Sequence, residues 1–313
     1  MMRTATLGIV MTLASCGGTC KHDATPVREV RPAPRSEAMA PLATRLEELR
    51  KGGRRDVTYR PPTPEEERAF AAWVDVVARA AIAGRPPAAA PPPGFTLERV
   101  GDLWLLAERP EARRGAGAIV IREGAAAPVL VQAPHTFFDV GTLPVALDAF
   151  DAGRCRALFI NTVHRYAAGR GDETGDDEGG DSISDVAHTP ASFFLAGHRA
   201  LLAAQPGAWT VQLHGFGDDR APGVLAILSA SVTTASLADV TARARSVLGD
   251  DVRRYPDEIR VLGALRNVEA AASRDASAPF LHIEMSRTLR DKLGDDADLR
   301  RRAAAAFLPV GAP

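Results

Sequence analysis

From residue 95 onward the sequence is cut into apolar runs too short for buried helices: 96–100, 103–107, 118–121, 129–133, 157–161, 209–214, 224–229, 259–261 and 280–284. Clusters of Gly, Pro and charge separate them, and their length and β-branched content mark them as strands. Helical patterns intervene over 141–152, 191–204 and 236–248, and a last one starts near Asp296. Strands that alternate with helices predict an α/β fold, a three-layer α/β/α sandwich with a mostly parallel mixed central sheet. The first three strands read as an antiparallel edge, and 129–133 reads as a strand buried on both faces.

The N-terminal part is of another kind. Residues 1–15 read as an export signal: Arg3 gives a positive start, 7–13 is an apolar run too short to span a bilayer, and Leu-Ala-Ser-Cys closes at Cys16. That closing motif resembles the bacterial lipobox, which implies cleavage before Cys16 and lipidation of its thiol. The acyl chains then anchor the protein to a membrane of the cell envelope. Gly17 after Cys16 points to the outer membrane, facing the periplasm or the cell surface. Residues 16–60 are rich in Pro, Arg and Ala and read as a disordered tether, with one short helix around 42–49. In 61–94, Thr63-Pro-Glu-Glu-Glu has an N-cap, a proline at the first helical position and acids in the first turn. It opens a helix to about residue 83, and a Pro/Ala linker follows. The main domain is then 95–313.

Of three cysteines, Cys16 is assigned to lipid, Cys20 falls in the tether and Cys155 in the body, so no disulfide framework is expected. Lys and Arg number 38 against 39 Asp and Glu. That balance sets nucleic acid aside as a partner.

Three polar interruptions carry chemistry. His135 follows the strand 129–133 and Pro134, with Asp139 four residues later. The pair reads either as metal ligands or as a turn histidine and a helix cap. His214 ends the strand 209–214 and is followed by Gly215 and Gly217, small residues that leave room for a cofactor or substrate; a satisfied core histidine is the alternative. Glu284 ends a run that should be interior, where an unpaired carboxylate is costly to ionise. It calls for a cation, a catalytic purpose, or an ion pair with Arg287. His282 shares the face of Glu284, one step deeper in the strand. In a parallel sheet these groups collect at the carboxyl ends of the strands.

Ala133-Pro-His135, Leu213-His-Gly215 and His282-Ile-Glu-Met-Ser-Arg287 together resemble the motif series of the N-formylglutamate amidohydrolase-like family, within the zinc carboxypeptidase-like hydrolases. The similarity spans about residues 115–295, and the order of the motifs matches. It implies a carboxypeptidase-like fold and one zinc ion held by His135, Asp139 and His214, with a water in the open position. Glu284 is implied as general base and then general acid. The resemblance also implies arginines that hold a substrate carboxylate. Arg165 and then Arg287 are the candidates, with His164 a further pocket residue.

The family's Asp-Leu-Asn-Arg-like element is not found cleanly. In its place an acidic glycine-rich stretch, 170–181, lacks the ligand spacing of an EF-hand and reads as a solvated loop at the rim. Asp185 and His188 either face the site from that rim or cap the next helix. The expectation is a lipid-anchored, zinc-dependent amidohydrolase or carboxypeptidase-like enzyme that cleaves an amide next to a carboxylate. Its substrate would be a small peptide or acyl-amino acid, such as cell-wall or γ-glutamyl material. The rival is a non-catalytic lipoprotein that keeps the fold to bind a ligand or partner. A serine hydrolase is disfavoured, since no Gly-x-Ser-x-Gly elbow is present.

Overall fold

The structure is a computed structural model that describes residues 35–53, 57–169, 182–231 and 234–309. Cys16, Cys20, the export signal and the acidic loop 171–181 lie outside the described residues.

Two helices come first, α1 (Met39–Gly52) and α2 (Pro64–Ile82), then the strands β1 (Phe95–Val100), β2 (Leu103–Glu108), β3 (Ala118–Arg122) and β4 (Ala127–Ala133). Next are α3 (Thr142–Ala152), β5 (Cys155–Ile160), α4 (Phe193–Ala204), β6 (Trp209–Phe216), β7 (Ala226–Ala230) and α5 (Thr234–Leu248). The chain continues through β8 (Val252–Arg254), α6 (Val268–Asp275), β9 (Phe280–Ser286), α7 (Arg287–Asp295) and α8 (Ala297–Ala306). All nine strands form one sheet in the order β1-β2-β3-β5-β4-β6-β9-β7-β8. The central strands β5, β4, β6 and β9 run parallel to one another, as their long helical crossovers require. β1, β2 and β3 join β5 by antiparallel pairing, and β7 is antiparallel to β9.

The period of two divides each central strand between two cores. Val129, Val131, Val211, Leu213, Leu281, Ile283 and Met285 face one helical layer, packed with residues of α1, α3, α5, α7 and α8. On the opposite face Leu130, Ala157 and Phe159 pack with α2 and α4. On that same face the middle strands carry Gln132, Gln212, His214, His282 and Glu284 in place of apolar groups, all buried.

Three expectations are corrected. The tether does not reach residue 60: α1 lies in the core, and Leu42, Leu46 and Leu49 are buried there. Their spacing makes one apolar stripe, and each buried leucine contributes about 1.5–3 kcal/mol against the entropy of ordering the turn. α2 likewise belongs to the body rather than to a separate segment, since Phe70 and Trp73 pack with Phe95 and Phe193. Its capping box is formed, with Thr63 Oγ1 accepting from Glu66 N–H and the Glu66 carboxylate accepting from Thr63 N–H. Finally, the strand expected at 259–261 forms instead at β8, where Val252 is fully buried beside β7; Ile259 packs in a small cluster with Phe216 and Ile227. α6 and α7, which have no long apolar run, were not anticipated.

Truncation of Leu46 to Ala is expected to cost about 2–5 kcal/mol of stability, measured by denaturant unfolding. An unchanged midpoint would show that α1 is not part of the cooperative core.

Candidate metal centre and catalytic cleft

β4 ends at Ala133, and the chain leaves the sheet in a single helical turn. Phe138 N–H and Asp139 N–H both donate to His135 O, at 2.9 and 2.7 Å. This places the Asp139 carboxylate over the His135 ring rather than at a helix N-terminus, so Asp139 is not a cap; α3 starts from Gly141, whose φ is 98°. His214 comes from the neighbouring strand β6. His135 Nδ1 lies 3.3 Å from Asp139 Oδ2 and 3.2 Å from His214 Nδ1, and His214 Nδ1 lies 3.5 Å from Asp139 Oδ2. All three side chains are buried, and Asp139 Oδ2 has no hydrogen-bond donor.

The far side of each ring fixes what these atoms are. His135 Nε2 donates to Asp185 Oδ1 at 2.8 Å, and His214 Nε2 to Gln212 Oε1 at 2.7 Å. Each Nδ1 is then a lone pair, so three acceptors converge on one point. Such a set repels itself unless a cation or a proton lies among them. Nitrogen, nitrogen and carboxylate oxygen, with outer partners that fix the tautomers, is a donor set that suits zinc.

The electrostatics agree. Burial opposes a charge on His135, but Asp185 and Asp139 outweigh it and push the imidazole up to about 9. Burial brings His214 down to about 4, with the charge of His135 adding to it against the pull of Asp139. Burial also works against Asp139, yet its contacts with the two imidazoles hold it well below the usual carboxylate range. Without an ion, a proton on His135 bridges the cluster.

Glu284 sits opposite His214 in the β6–β9 register. Its Oε2 has no partner, and its Oε1 is 3.6 Å from His282 Nε2. Burial, and then the charge of Asp139, push its carboxyl well above the usual range. The expected alternative of a pair with Arg287 is not formed: Arg287 is exposed and binds Asp291 at 3.1 Å. His282 lies against the His214 ring, centroids 4.6 Å apart, and its Nδ1 is unpartnered. It belongs to a second group of candidate ligands with His214 and Glu284.

These groups form the floor of a cavity of about 960 Å³. Arg165 lines it, with its guanidinium 5.2 Å from the Phe138 ring and 5.1 Å from Tyr166, and with one edge bound to Asp185. Arg287 is at the edge of the same cavity. His164 is not among its lining residues: its Nδ1 accepts Tyr166 N–H at 3.1 Å and its ring packs edge-on to Phe138, so it supports the wall from behind. Asp185 takes the inner of its two expected positions, binding His135, Arg165 and His188.

Two residues of the site gave no signal in the sequence. Gln212 is a strand residue like any other until its neighbour across the face is known. Arg290 donates to Met285 O at 3.2 Å, Val140 O at 2.6 Å and Phe216 O at 3.1 Å. It thereby ties the ends of β9 and β6 to the turn that holds His135 and Asp139. Gly215 and Gly217 line the cavity, and the missing Cβ of Gly215 also makes room for this arginine: a Cβ there would lie 2.5 Å from Arg290 Nε.

No family model and no curated protein matches the sequence. Among solved structures the chain is similar to an N-formylglutamate amidohydrolase from Ralstonia eutropha JMP134, with 16% identity and a TM-score of 0.40, over 61% of this chain and 96% of that one. It is also similar to a bacteriophage poly-gamma-glutamate hydrolase, with 14% identity and a TM-score of 0.40, over 61% and 86% of the two chains. A metallo-carboxypeptidase from Burkholderia cenocepacia gives 12% identity and a TM-score of 0.39, over 80% and 69%. Structural neighbours therefore include both hydrolase classes to which the motif series was likened. At identities this low, the chemistry of the site is carried by its own side chains.

Because the proton on His135 must leave when an ion binds, apparent zinc affinity should rise about tenfold per pH unit from about pH 6 to about pH 8, and level off above about 9. A chelator competition titration measures it, and an affinity flat across that window would remove His135 from the ligand set.

Proposed function

We propose that this chain is a zinc-dependent amidohydrolase or carboxypeptidase-like hydrolase that cleaves an amide next to a carboxylate in a small peptide or acyl-amino acid. The observation that supports this most directly is the pairing of three convergent acceptors, His135 Nδ1, Asp139 Oδ2 and His214 Nδ1, with a buried, unpartnered carboxylate one strand away on the same cavity floor.

Zinc held by His135, Asp139 and His214 would supply Lewis acidity, lowering the pKa of a water and polarising the scissile carbonyl. Glu284 accepts the proton of the attacking water and returns it to the leaving amine. Burial, and then the charge of Asp139, push this carboxyl well above the usual range, and a divalent charge nearby would act in the opposite direction. Asp185 and Gln212 keep the two imidazoles turned toward the ion. Arg165, flat against Phe138 and Tyr166, offers the cavity a guanidinium edge for a substrate carboxylate. Arg287 at the rim is the second candidate. With a lipid anchor at Cys16 the enzyme would act in the cell envelope, where cell-wall and γ-glutamyl peptides carry suitable amides.

Purified protein should hold close to one zinc per chain by metal analysis, and His135→Ala should lose it. Glu284→Gln should keep zinc while kcat on N-acyl-glutamate or γ-glutamyl dipeptides falls about 10²–10⁴-fold. Wild-type protein without zinc, or full activity in the Glu284 variant, would overturn the enzyme reading in favour of a binding lipoprotein.

For the anchor, Cys16→Ser should move the protein from the membrane fraction to the soluble fraction of cells. Continued membrane association would refute lipidation at this residue.

A further inference from the structure

A chain of buried side-chain hydrogen bonds runs beneath His214, and its polarity can be read from one end. Asn267 is the N-cap of α6: its Oδ1 accepts the backbone N–H of Ala270 at 2.8 Å. A backbone N–H can only donate, so the other arm of the amide, Nδ2, faces Gln212 Oε1, at 2.5 Å. Gln212 Oε1 is thereby an acceptor, and the same atom lies 2.7 Å from His214 Nε2. The opposite arm fits this orientation, since Gln212 Nε2 then donates to Gln132 Oε1 at 2.9 Å and to Glu269 Oε2 at 3.2 Å. Gln132 in turn donates to His198 Nδ1 at 3.1 Å, and His198 Nε2 meets Ser273 Oγ at 3.1 Å. Every orientation in the row is consistent with the first, so it is set by a helix terminus rather than by any one side chain.

We propose that Asn267 and Gln212 form a positioning pair for His214: the helix cap at Ala270 sets the Asn267 amide, which sets Gln212, which holds the proton on His214 Nε2 and leaves Nδ1 free for the ion. This rests on the zinc reading above for its catalytic meaning, but the tautomer itself does not depend on a metal. The pair does for His214 what Asp185 does for His135, with a neutral amide in place of a carboxylate. The two imidazoles therefore differ as donors, since only His135 is made more basic by an anionic partner. The two supports are also joined, for Val268 N–H, next to Asn267, donates to Ala187 O at 3.0 Å, two residues beyond Asp185. Asn267 itself lines the cavity, at the end of the wall segment in which Leu262 and Ala264 adopt left-handed φ of 59° and 57°. A shift of that wall is transmitted to a metal ligand through two amides.

Two variants test this. Gln212→Leu removes the acceptor while keeping a similar volume. Asn267→Ser keeps a good N-cap for α6 but is too short to reach Gln212. The readouts are the ¹⁵N chemical shifts of His214 in metal-free protein, zinc affinity by chelator competition, and the visible spectrum of the Co²⁺-substituted protein. Wild type is expected to show the Nε2–H tautomer of His214. Gln212→Leu should lose that preference and bind zinc about 10–100-fold more weakly, with an altered Co²⁺ spectrum. Asn267→Ser should shift all three in the same direction by less, and Gln212→Glu, which keeps an acceptor, should recover affinity. A wild-type His214 in the Nδ1–H form, or both variants with wild-type tautomer and zinc affinity within twofold, would overturn the proposal. If Gln212→Leu fails to fold, Asn267→Ser carries the test. Wild-type protein that binds no zinc would refute the enzyme reading, whereas the tautomer of His214 would still decide this one.

Discussion

Three acceptor atoms held within 3.5 Å of one another, with no donor among them, govern the polar end of this sheet. Left alone they repel, and burial removes the water that would screen them. The surrounding structure is arranged to hold them in place. Asp185 and Gln212 take the outer nitrogens, the single turn after β4 brings Asp139 back over His135, and Arg290 clips the ends of β9 and β6 to that turn through backbone carbonyls. A positive charge at the centre resolves the conflict, and Asp185 from outside together with Asp139 from inside pushes the His135 imidazole up.

The same face of the sheet shows why Glu284 is exceptional. Its neighbour Gln212 has both arms of its amide engaged, whereas Glu284 Oε2, like Asp139 Oδ2, has no partner. A buried carboxylate in that condition is destabilising by itself. Placed beside a candidate ligand set for a dication, it is a group whose proton affinity would depend on what the site holds. Unpartnered polar atoms gather here, while the opposite face of the same strands is an apolar core.

Much of this was legible in advance, for definable reasons. His135, His214 and Glu284 each end an apolar run, and a strand pattern with parallel connections sends such ends to one edge. The His135–Asp139 spacing was compatible with a shared ion but equally with a turn and a cap, and the backbone turn with two N–H groups on His135 O sets the Asp139 carboxylate beside the His135 and His214 rings rather than at the start of α3. The arginines were harder. Arg165 stands in the cleft, but Arg287 turns outward to Asp291, and Arg290, three residues on, turns inward. On a helix three residues make about 300°, which sets the two side chains only about 60° apart around the axis, and which of them meets the sheet is fixed by packing, not by the local sequence. Composition likewise misled for α1: the short helix around 42–49 was legible, but the Pro, Arg and Ala around it gave no sign that Leu42, Leu46 and Leu49 join the core.

The sequence by itself determined the strand and helix alternation, the parity that puts His282 and Glu284 on one face, and the residue types able to hold an ion and move a proton. These depend on period and chemistry, which are local. Only the tertiary structure decided the partnerships: Asp185 with His135, Asn267 through Gln212 with His214, Arg290 in the space that Gly215 leaves, and His164 behind the wall rather than in it. Most of those contacts join residues dozens of positions apart, and what selects them is the register of neighbouring strands and the helices laid across them.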